Sequence, residues 1–67
     1  MISKEIKRLR TERQMTQRQL ARAVDVGELA VYRWERGIRQ PTTANIQRLA
    51  GAFDVPITVL FGDTSSV

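Results

Sequence analysis

Apolar residues recur along this chain at the spacing of one helix face, and they do so in five separate segments. In the first segment Ile6 and Leu9 share one side, and in the second Leu20, Ala21 and Val24 form a narrow stripe. The charged residues of the first segment are expected to lie in water: Lys7, Arg8, Glu12 and Arg13. No segment alternates apolar and polar residues for long enough to indicate a strand. The pattern therefore predicts an all-α fold with five helices.

Four of the predicted helices span approximately residues 4–13, 17–24, 28–36 and 57–61, and the remaining one begins after Thr42 and has Phe53 on its inner face. Local signals mark several of their ends. Thr16 precedes Gln19 by three residues, which is the arrangement of a capping box at a helix start. Gly37 is the residue type best suited to the left-handed conformation that ends a helix. The short polar segment 63–67 is expected to be a flexible tail after a single domain over residues 1–62.

The composition excludes several kinds of chemistry. The 67 residues contain no cysteine and no histidine, which removes disulfides, thiolate or imidazole catalysis and the common zinc sites. Because no nucleophile lies with a base and no carboxylate pair is evident, we expect neither an enzyme nor a bound metal or cofactor. No apolar run approaches the roughly 20 residues of a membrane span, and the N-terminal segment is charged where a signal peptide is apolar. The chain is expected to act in the cytoplasm.

The positive charge of the chain is unevenly distributed. The net charge is +4, and all eleven Lys and Arg residues lie between Lys4 and Arg48, together with five of the seven acidic residues. A basic body of this kind attracts a polyanion, and DNA is the commonest cytoplasmic polyanion whose grooves accept a helix. A merely solubilising surface is the alternative interpretation, and charge alone does not decide between the two.

The segment 16–37 predicts two short helices joined by a tight turn, with basic and polar side chains on one face. That arrangement is typical of a helix-turn-helix that binds DNA. The chain as a whole resembles the Cro/repressor type (XRE-like) of helix-turn-helix domain, which is widespread among phage repressors and small bacterial regulators. The resemblance covers residues 6–62 and is carried by Ile6, Leu9, Arg10, Met15, Thr16, Gln17, Leu20, Ala21, Val26, Val31, Trp34, Glu35, Arg36, Gly37, Pro41, Thr42, Leu49, Ala50, Phe53, Asp54 and Val55. It implies a five-helix lambda-repressor-like DNA-binding domain whose second and third helices form the motif.

Two sets of residues are expected to hold the motif together. Arg10 and Glu35 are the pair that similar domains use to tie the first helix to the third by a largely buried salt bridge. Trp34 is interpreted as a core anchor rather than a base-stacking platform, because helical spacing places it on one face with Val31 and Ile38.

Two positions in the turn depart from the family pattern. Asp25 stands where a glycine usually ends the second helix, and Gly27 stands where a serine or threonine usually caps the third. Both exchanges are tolerable, because Asp enters the left-handed region more readily than most residues and Gly is an acceptable N-cap.

The outward stripe of the third helix carries the candidate base-contacting residues. Leu29, Tyr32, Arg33 and Arg36 follow helical spacing, with Glu28 at the exposed start. By the resemblance, positions 28, 29 and 33 contact base edges, and position 32 lies beside them. The Arg33 guanidinium suits the O6 and N7 acceptors of guanine, with a phosphate or solvent as its alternative partner. Leu29 suits a thymine methyl group, and Glu28 suits either a cytosine amino group or the helix dipole.

A second group of residues is expected to bind the DNA backbone. By the resemblance, Gln17 holds a phosphate at the start of the second helix, where plain capping is the alternative. Further candidate phosphate contacts lie between the end of the third helix and the start of the fourth: Arg36, Arg39, Gln40, Thr42, Thr43 and Asn45. The sequence does not decide whether Arg18 and Arg22 lie beside the duplex or in water.

One domain of this size covers a single half-site, so we expect a homodimer, formed in solution or only on DNA, on a palindromic operator. The last predicted helix is apolar on more than one face, and it supplies Val59 and Phe61 as candidate interface residues. In the alternative interpretation Ile57, Leu60 and Phe61 complete the core and only Val59 is exposed.

Together these features predict a sequence-specific regulator of transcription that binds double-stranded DNA, most simply a repressor that occludes a promoter. The alternative is an antitoxin or accessory regulator of the same fold whose main ligand is a partner protein. Neither a membrane nor a small-molecule ligand is indicated.

Overall fold

The computed structural model describes residues 1–62, and the predicted tail at residues 63–67 lies outside them. Five helices make up the described part of the chain: α1 (Ile2–Glu12), α2 (Gln17–Ala23), α3 (Glu28–Arg36), α4 (Thr43–Phe53) and α5 (Ile57–Leu60). The predicted all-α fold is confirmed, with no strand among residues 1–62. The bounds of α3 match the prediction at both ends, whereas α1 begins earlier than expected. None of these five helices combines the length and the apolar composition that crossing a membrane requires.

Local hydrogen bonds and backbone angles define the ends of the motif helices. At the start of α2 the Gln19 N–H donates to Thr16 Oγ1 over 3.0 Å and the Thr16 N–H donates to Gln19 Oε1 over 2.8 Å, which completes the predicted capping box. α3 ends at Gly37, whose φ of 73° is left-handed. In the turn, Asp25 has a φ of 59°, and Gly27 caps α3 in an extended conformation without a side-chain hydrogen bond. The two unusual turn residues therefore adopt the conformations that the motif needs.

The core contains apolar side chains from all five helices and from Val24, which directly follows α2. Its members are Ile6, Leu9, Leu20, Ala21, Val24, Val31, Trp34, Leu49, Ala50, Phe53 and Leu60. Ala21 is 3% exposed on α2, which packs against α3, and its single methyl group permits a close crossing of the two helices. Trp34 is also buried, so its interpretation as a core anchor is confirmed. This packing holds α2 and α3 in a defined relative orientation.

One prediction made from helical spacing is wrong, and one exposed residue makes contacts that spacing does not predict. Arg13 is exposed as the spacing predicts, but its guanidinium also donates to the carbonyl oxygens of Leu9 at 3.1 Å and Phe53 at 2.7 Å. The last carbonyl groups of a helix lack partners within the helix, which explains why a neighbouring arginine satisfies one of them at the end of α4. The spacing also places Ile38 on the inner face, but its side chain is 63% exposed because Gly37 ends the helix before it.

α5 buries only part of its apolar surface. Leu60 is fully buried, and Val59 is partly buried against the core. Ile57 and Phe61 remain exposed, with Phe61 at 57%. The interpretation in which Phe61 completes the core and only Val59 is exposed is therefore wrong, because a single helical turn directs few side chains to one neighbour. Of the two predicted interface residues, Phe61 lies on the surface and Val59 packs inward.

Candidate nucleic-acid interface

The outward face of α3 bears the side chains that the sequence places on one stripe. All five are exposed: Glu28, Leu29, Tyr32, Arg33 and Arg36. Val31 and Trp34 lie on the opposite, buried face. The guanidinium carbon of Arg36 is 5.9 Å from the centre of the Tyr32 ring, within the range of a cation–π contact. α3 thus presents basic, aromatic, aliphatic and acidic groups on one surface.

Two concave regions flank this face. The first has a volume of about 330 Å³ and is lined by Gln17, Glu28, Leu29 and Tyr32. The second has a volume of about 230 Å³ and involves α3 and the start of α4, with a lining of Val26, Ala30, Arg33, Trp34, Arg39, Gln40, Thr42 and Asn45. The structure therefore groups Arg33 with four of the candidate phosphate contacts.

The start of α4 is capped by a side chain that also belongs to the candidate interface. Thr42 Oγ1 accepts a hydrogen bond from the Asn45 N–H at 3.2 Å. Arg48 donates to Asn45 Oδ1 at 3.3 Å. Three further candidates around this helix start are exposed: Arg39, Gln40 and Thr43. Arg48 was missed by the sequence analysis, although its position three residues after Asn45 is the signal that locates it on the same side of α4.

A buried carboxylate joins α1, α2 and α3. Arg10 donates to both oxygens of Glu35, with Nε 2.6 Å from Oε2 and Nη2 3.0 Å from Oε1, and the Glu35 side chain is only 3% exposed. Arg10 Nη1 also donates to the Met15 carbonyl at 2.7 Å. Gln17 Nε2 donates to Glu35 Oε1 at 3.0 Å, a contact that the sequence analysis did not predict. The candidate phosphate-binding amide of α2 is therefore held by the same carboxylate that braces α1 against α3.

The arginine residues of the chain differ in what they contact. On α1, Arg8 donates to Glu5 and Glu12, and the hydrogen bond to Glu5, followed by that to Glu12, raises the pKa of its guanidinium above the ordinary value. Among residues 1–62 no ion pair involves the cations of the candidate interface, which are Arg33, Arg36, Arg39 and Arg48. Their charge is therefore available to an external anion.

A family model described as Helix-turn-helix (HTH_3) matches residues 6–60. The chain belongs to this helix-turn-helix family. The helix-turn-helix chain is 32% identical over 66 residues to the cryptic phage CTXphi transcriptional repressor RstR of Vibrio cholerae, covering 98% of this chain and 60% of that protein. It is 36% identical over 63 residues to the HTH-type transcriptional regulator DicA of Escherichia coli (strain K12), covering 92% of this chain and 47% of that protein. The chain thus spans between 47% and 60% of the length of these two relatives.

Two solved structures have a similar arrangement of helices. The DNA-binding domain of the P22 C2 repressor matches with a TM-score of 0.89 at 26% identity, covering 100% of this chain and 90% of that one. PlcR of Bacillus thuringiensis, in complex with the peptide PapR7 and DNA, matches with a TM-score of 0.82 at 28% identity, covering 96% of this chain and 22% of that one. The predicted repressor-like fold is confirmed by these matches.

Proposed function

We propose that this helix-turn-helix domain binds double-stranded DNA with sequence specificity and regulates transcription as a repressor in the cytoplasm. The observation that carries the proposal is an exposed recognition face on α3, bordered by arginine residues that form no ion pair within residues 1–62. An exposed helix of this kind fits the major groove, and free cations beside it neutralise phosphates. The printed descriptions of RstR and DicA as transcriptional regulators support the same role.

The base contacts are assigned to the outward side chains of α3. Arg33 donates to guanine O6 and N7, since its guanidinium has the matching fork of donors. Leu29 covers a pyrimidine methyl group, Glu28 accepts from an exocyclic amino group, and Tyr32 lies beside them. Because Arg33 also lines the concave region at α4, a phosphate is the competing partner for its side chain.

The backbone contacts are assigned to residues on both sides of α3. Gln17 binds a phosphate from the start of α2, where free backbone N–H groups also favour an anion. On the other side, the phosphate contacts come from the end of α3 and the start of α4: Arg36, Arg39, Gln40, Thr42, Thr43 and Asn45. Such contacts position the domain on the duplex without selecting a sequence.

The DNA-bound form is a homodimer that places two copies of α3 about 34 Å apart on a palindromic operator and thereby blocks a promoter. The exposed apolar surface of Ile57 and Phe61 supports this arrangement. The inward packing of Val59 shifts the expected interface toward Ile57 and Phe61.

Selection of binding sites from a randomised duplex pool at several salt concentrations tests the proposal. Wild type is compared with Arg33→Ala and with Lys7→Ala, which removes an equal charge from α1. We expect an enriched palindrome for wild type and Lys7→Ala, and a loss of preference at one base pair for Arg33→Ala. Salt-sensitive binding without an enriched sequence, or no binding, contradicts the proposal and favours a partner protein as the main ligand.

A further inference from the structure

The concave region beside the start of α3 combines exposed apolar surface with a carboxylate. Its lining consists of Gln17, Glu28, Leu29 and Tyr32. Leu29 is 54% exposed and Tyr32 is 41% exposed, so both leave apolar surface in water. Within the described residues the Glu28 carboxylate forms no ion pair. An unpaired acceptor and uncovered apolar surface therefore lie together on the face that we propose enters DNA.

A carboxylate between DNA phosphates is unfavourable unless a hydrogen-bond donor compensates it. In the major groove the exocyclic donors are the N4 amino group of cytosine and the N6 amino group of adenine. Thymine O4 and guanine O6 and N7 are acceptors, which repel a carboxylate. Glu28 therefore favours a base edge that carries an amino group.

The apolar surface of Leu29 and Tyr32 favours a methyl group in the same place. In an A·T pair the thymine methyl and the adenine amino group belong to different bases, and the thymine O4 acceptor lies between them. In cytosine methylated at C5, the methyl group and the N4 amino group are neighbours on one ring. This edge offers the donor and the apolar group side by side, as the lining of the concave region does.

We propose that Glu28, Leu29 and Tyr32 form a site for the edge of 5-methylcytosine, so that methylation of cytosine strengthens binding. Glu28 accepts a hydrogen bond from the N4 amino group, and Leu29 and Tyr32 cover the C5 methyl group. The site rests on the proposed DNA-binding function, and it adds to that function a dependence on the methylation state of the operator.

The test uses the operator selected from the randomised pool. The base pair to be substituted is the one at which wild type selects a particular base and Leu29→Ala does not. Four duplexes carry cytosine, 5-methylcytosine, thymine or uracil at that position, paired with the complementary purine. These pyrimidines separate the methyl group from the amino group, because each is present in two of the four. We expect 5-methylcytosine to bind most tightly, about fourfold more tightly than cytosine. We expect it to exceed thymine about tenfold, since thymine replaces the amino donor with an acceptor.

Two variants assign these effects to their residues. Leu29→Ala should remove the advantage of both methylated bases and retain the preference for an amino group. Glu28→Gln should reduce the preference for an amino group, because the amide can donate to thymine O4 as well as accept from an amino group, and it should retain the advantage of the methyl group. Both side chains are exposed, so the variants should fold, and circular dichroism checks this with Lys7→Ala as the control.

Tightest binding of the thymine duplex, equal binding of cytosine and 5-methylcytosine, or a methyl advantage that survives in Leu29→Ala overturns the proposed site. Any of these results still leaves an operator and therefore a DNA-binding domain. Failure of the proposed function gives a different result, which is the absence of any enriched sequence in the pool.

Discussion

The arginine residues of α1 differ from those around α3 in the groups that their side chains contact. On α1, Arg10 pairs with Glu35, and Arg13 binds the carbonyl oxygens of Leu9 and Phe53. Around α3, the cations of the candidate interface form no ion pair with any of residues 1–62. The first group satisfies groups within the fold, whereas the second leaves its charge for a ligand. The internal partners of these arginine residues therefore separate those that hold the fold together from those whose charge is available to a ligand.

The largest expected effect comes from breaking the α1 group. In Arg10→Met the Glu35 carboxylate, whose side chain is 3% exposed, loses its charged partner. We expect the free energy of unfolding to fall by about 3–5 kcal/mol, because the buried carboxylate keeps only the neutral Gln17 amide as a hydrogen-bond partner. Denaturant titration measures the change. Arg10→Met combined with Glu35→Gln removes the unpaired charge and should recover part of the lost stability. An Arg10→Met variant as stable as wild type contradicts the structural role assigned to the Arg10–Glu35 pair.

The opposite result is expected for the α3 group. Arg33→Ala should weaken binding to the selected operator by about 1–3 kcal/mol and reduce discrimination at one base pair. Its free energy of unfolding should stay within about 0.5 kcal/mol of wild type, because the side chain is exposed and forms no ion pair within residues 1–62. Fluorescence anisotropy and denaturant titration on the same samples separate the two quantities. If Arg33→Ala loses enough stability to explain its weaker binding, the proposed distinction between the arginine residues of α1 and those around α3 is contradicted.

Gln17 lies at the boundary of the two groups, since it bonds to the buried Glu35 carboxylate and lines the concave region at α3. Gln17→Ala should weaken binding by about 0.5–1.5 kcal/mol, because one hydrogen bond to a phosphate is lost. The loss should be equal for the selected operator and for variants of its bases, unlike the loss in Arg33→Ala. Anisotropy titrations with both kinds of duplex check this, and a loss confined to one base pair argues against a backbone contact.

The smallest effect is expected at Gly51, which lies inside α4 with open space where a Cβ atom would stand. Gly51→Ala should raise the free energy of unfolding by about 0.5–1 kcal/mol, because alanine reduces the entropy lost on forming the helix. Operator affinity should not change, which shows that stability and binding vary independently. Gly37→Ala is the matched contrast, since a φ of 73° makes any side chain unfavourable there and stability should fall. Thermal denaturation measures both variants.

Features that depend on neighbouring residues were predictable from the sequence. The capping box of Thr16 and Gln19 and the left-handed Gly37 are encoded within a few residues, so the start of α2 and the end of α3 follow from them. The outward stripe of α3 likewise follows from helical spacing once those bounds are known. Local chemistry thus defines the motif and its exposed face.

Features that depend on tertiary packing were not predictable from spacing alone. Arg13 bonds to Phe53 across 40 residues of sequence, and Gln17 bonds to Glu35 across 18. Helical periodicity identifies the exposed side of an element, but it does not identify which long polar side chain reaches a neighbouring helix.

The central claim is that the outward face of α3, together with the arginine residues that border it, is the surface that binds DNA. Titration of the isotopically labelled domain with the selected duplex, followed by the chemical shifts of its backbone amides, tests that claim residue by residue. The account predicts the largest shifts in the first turn of α2, along α3 and at the start of α4, with the exposed face of α1 unchanged. Shifts concentrated on α1 or α5, with α3 unaffected, would contradict it.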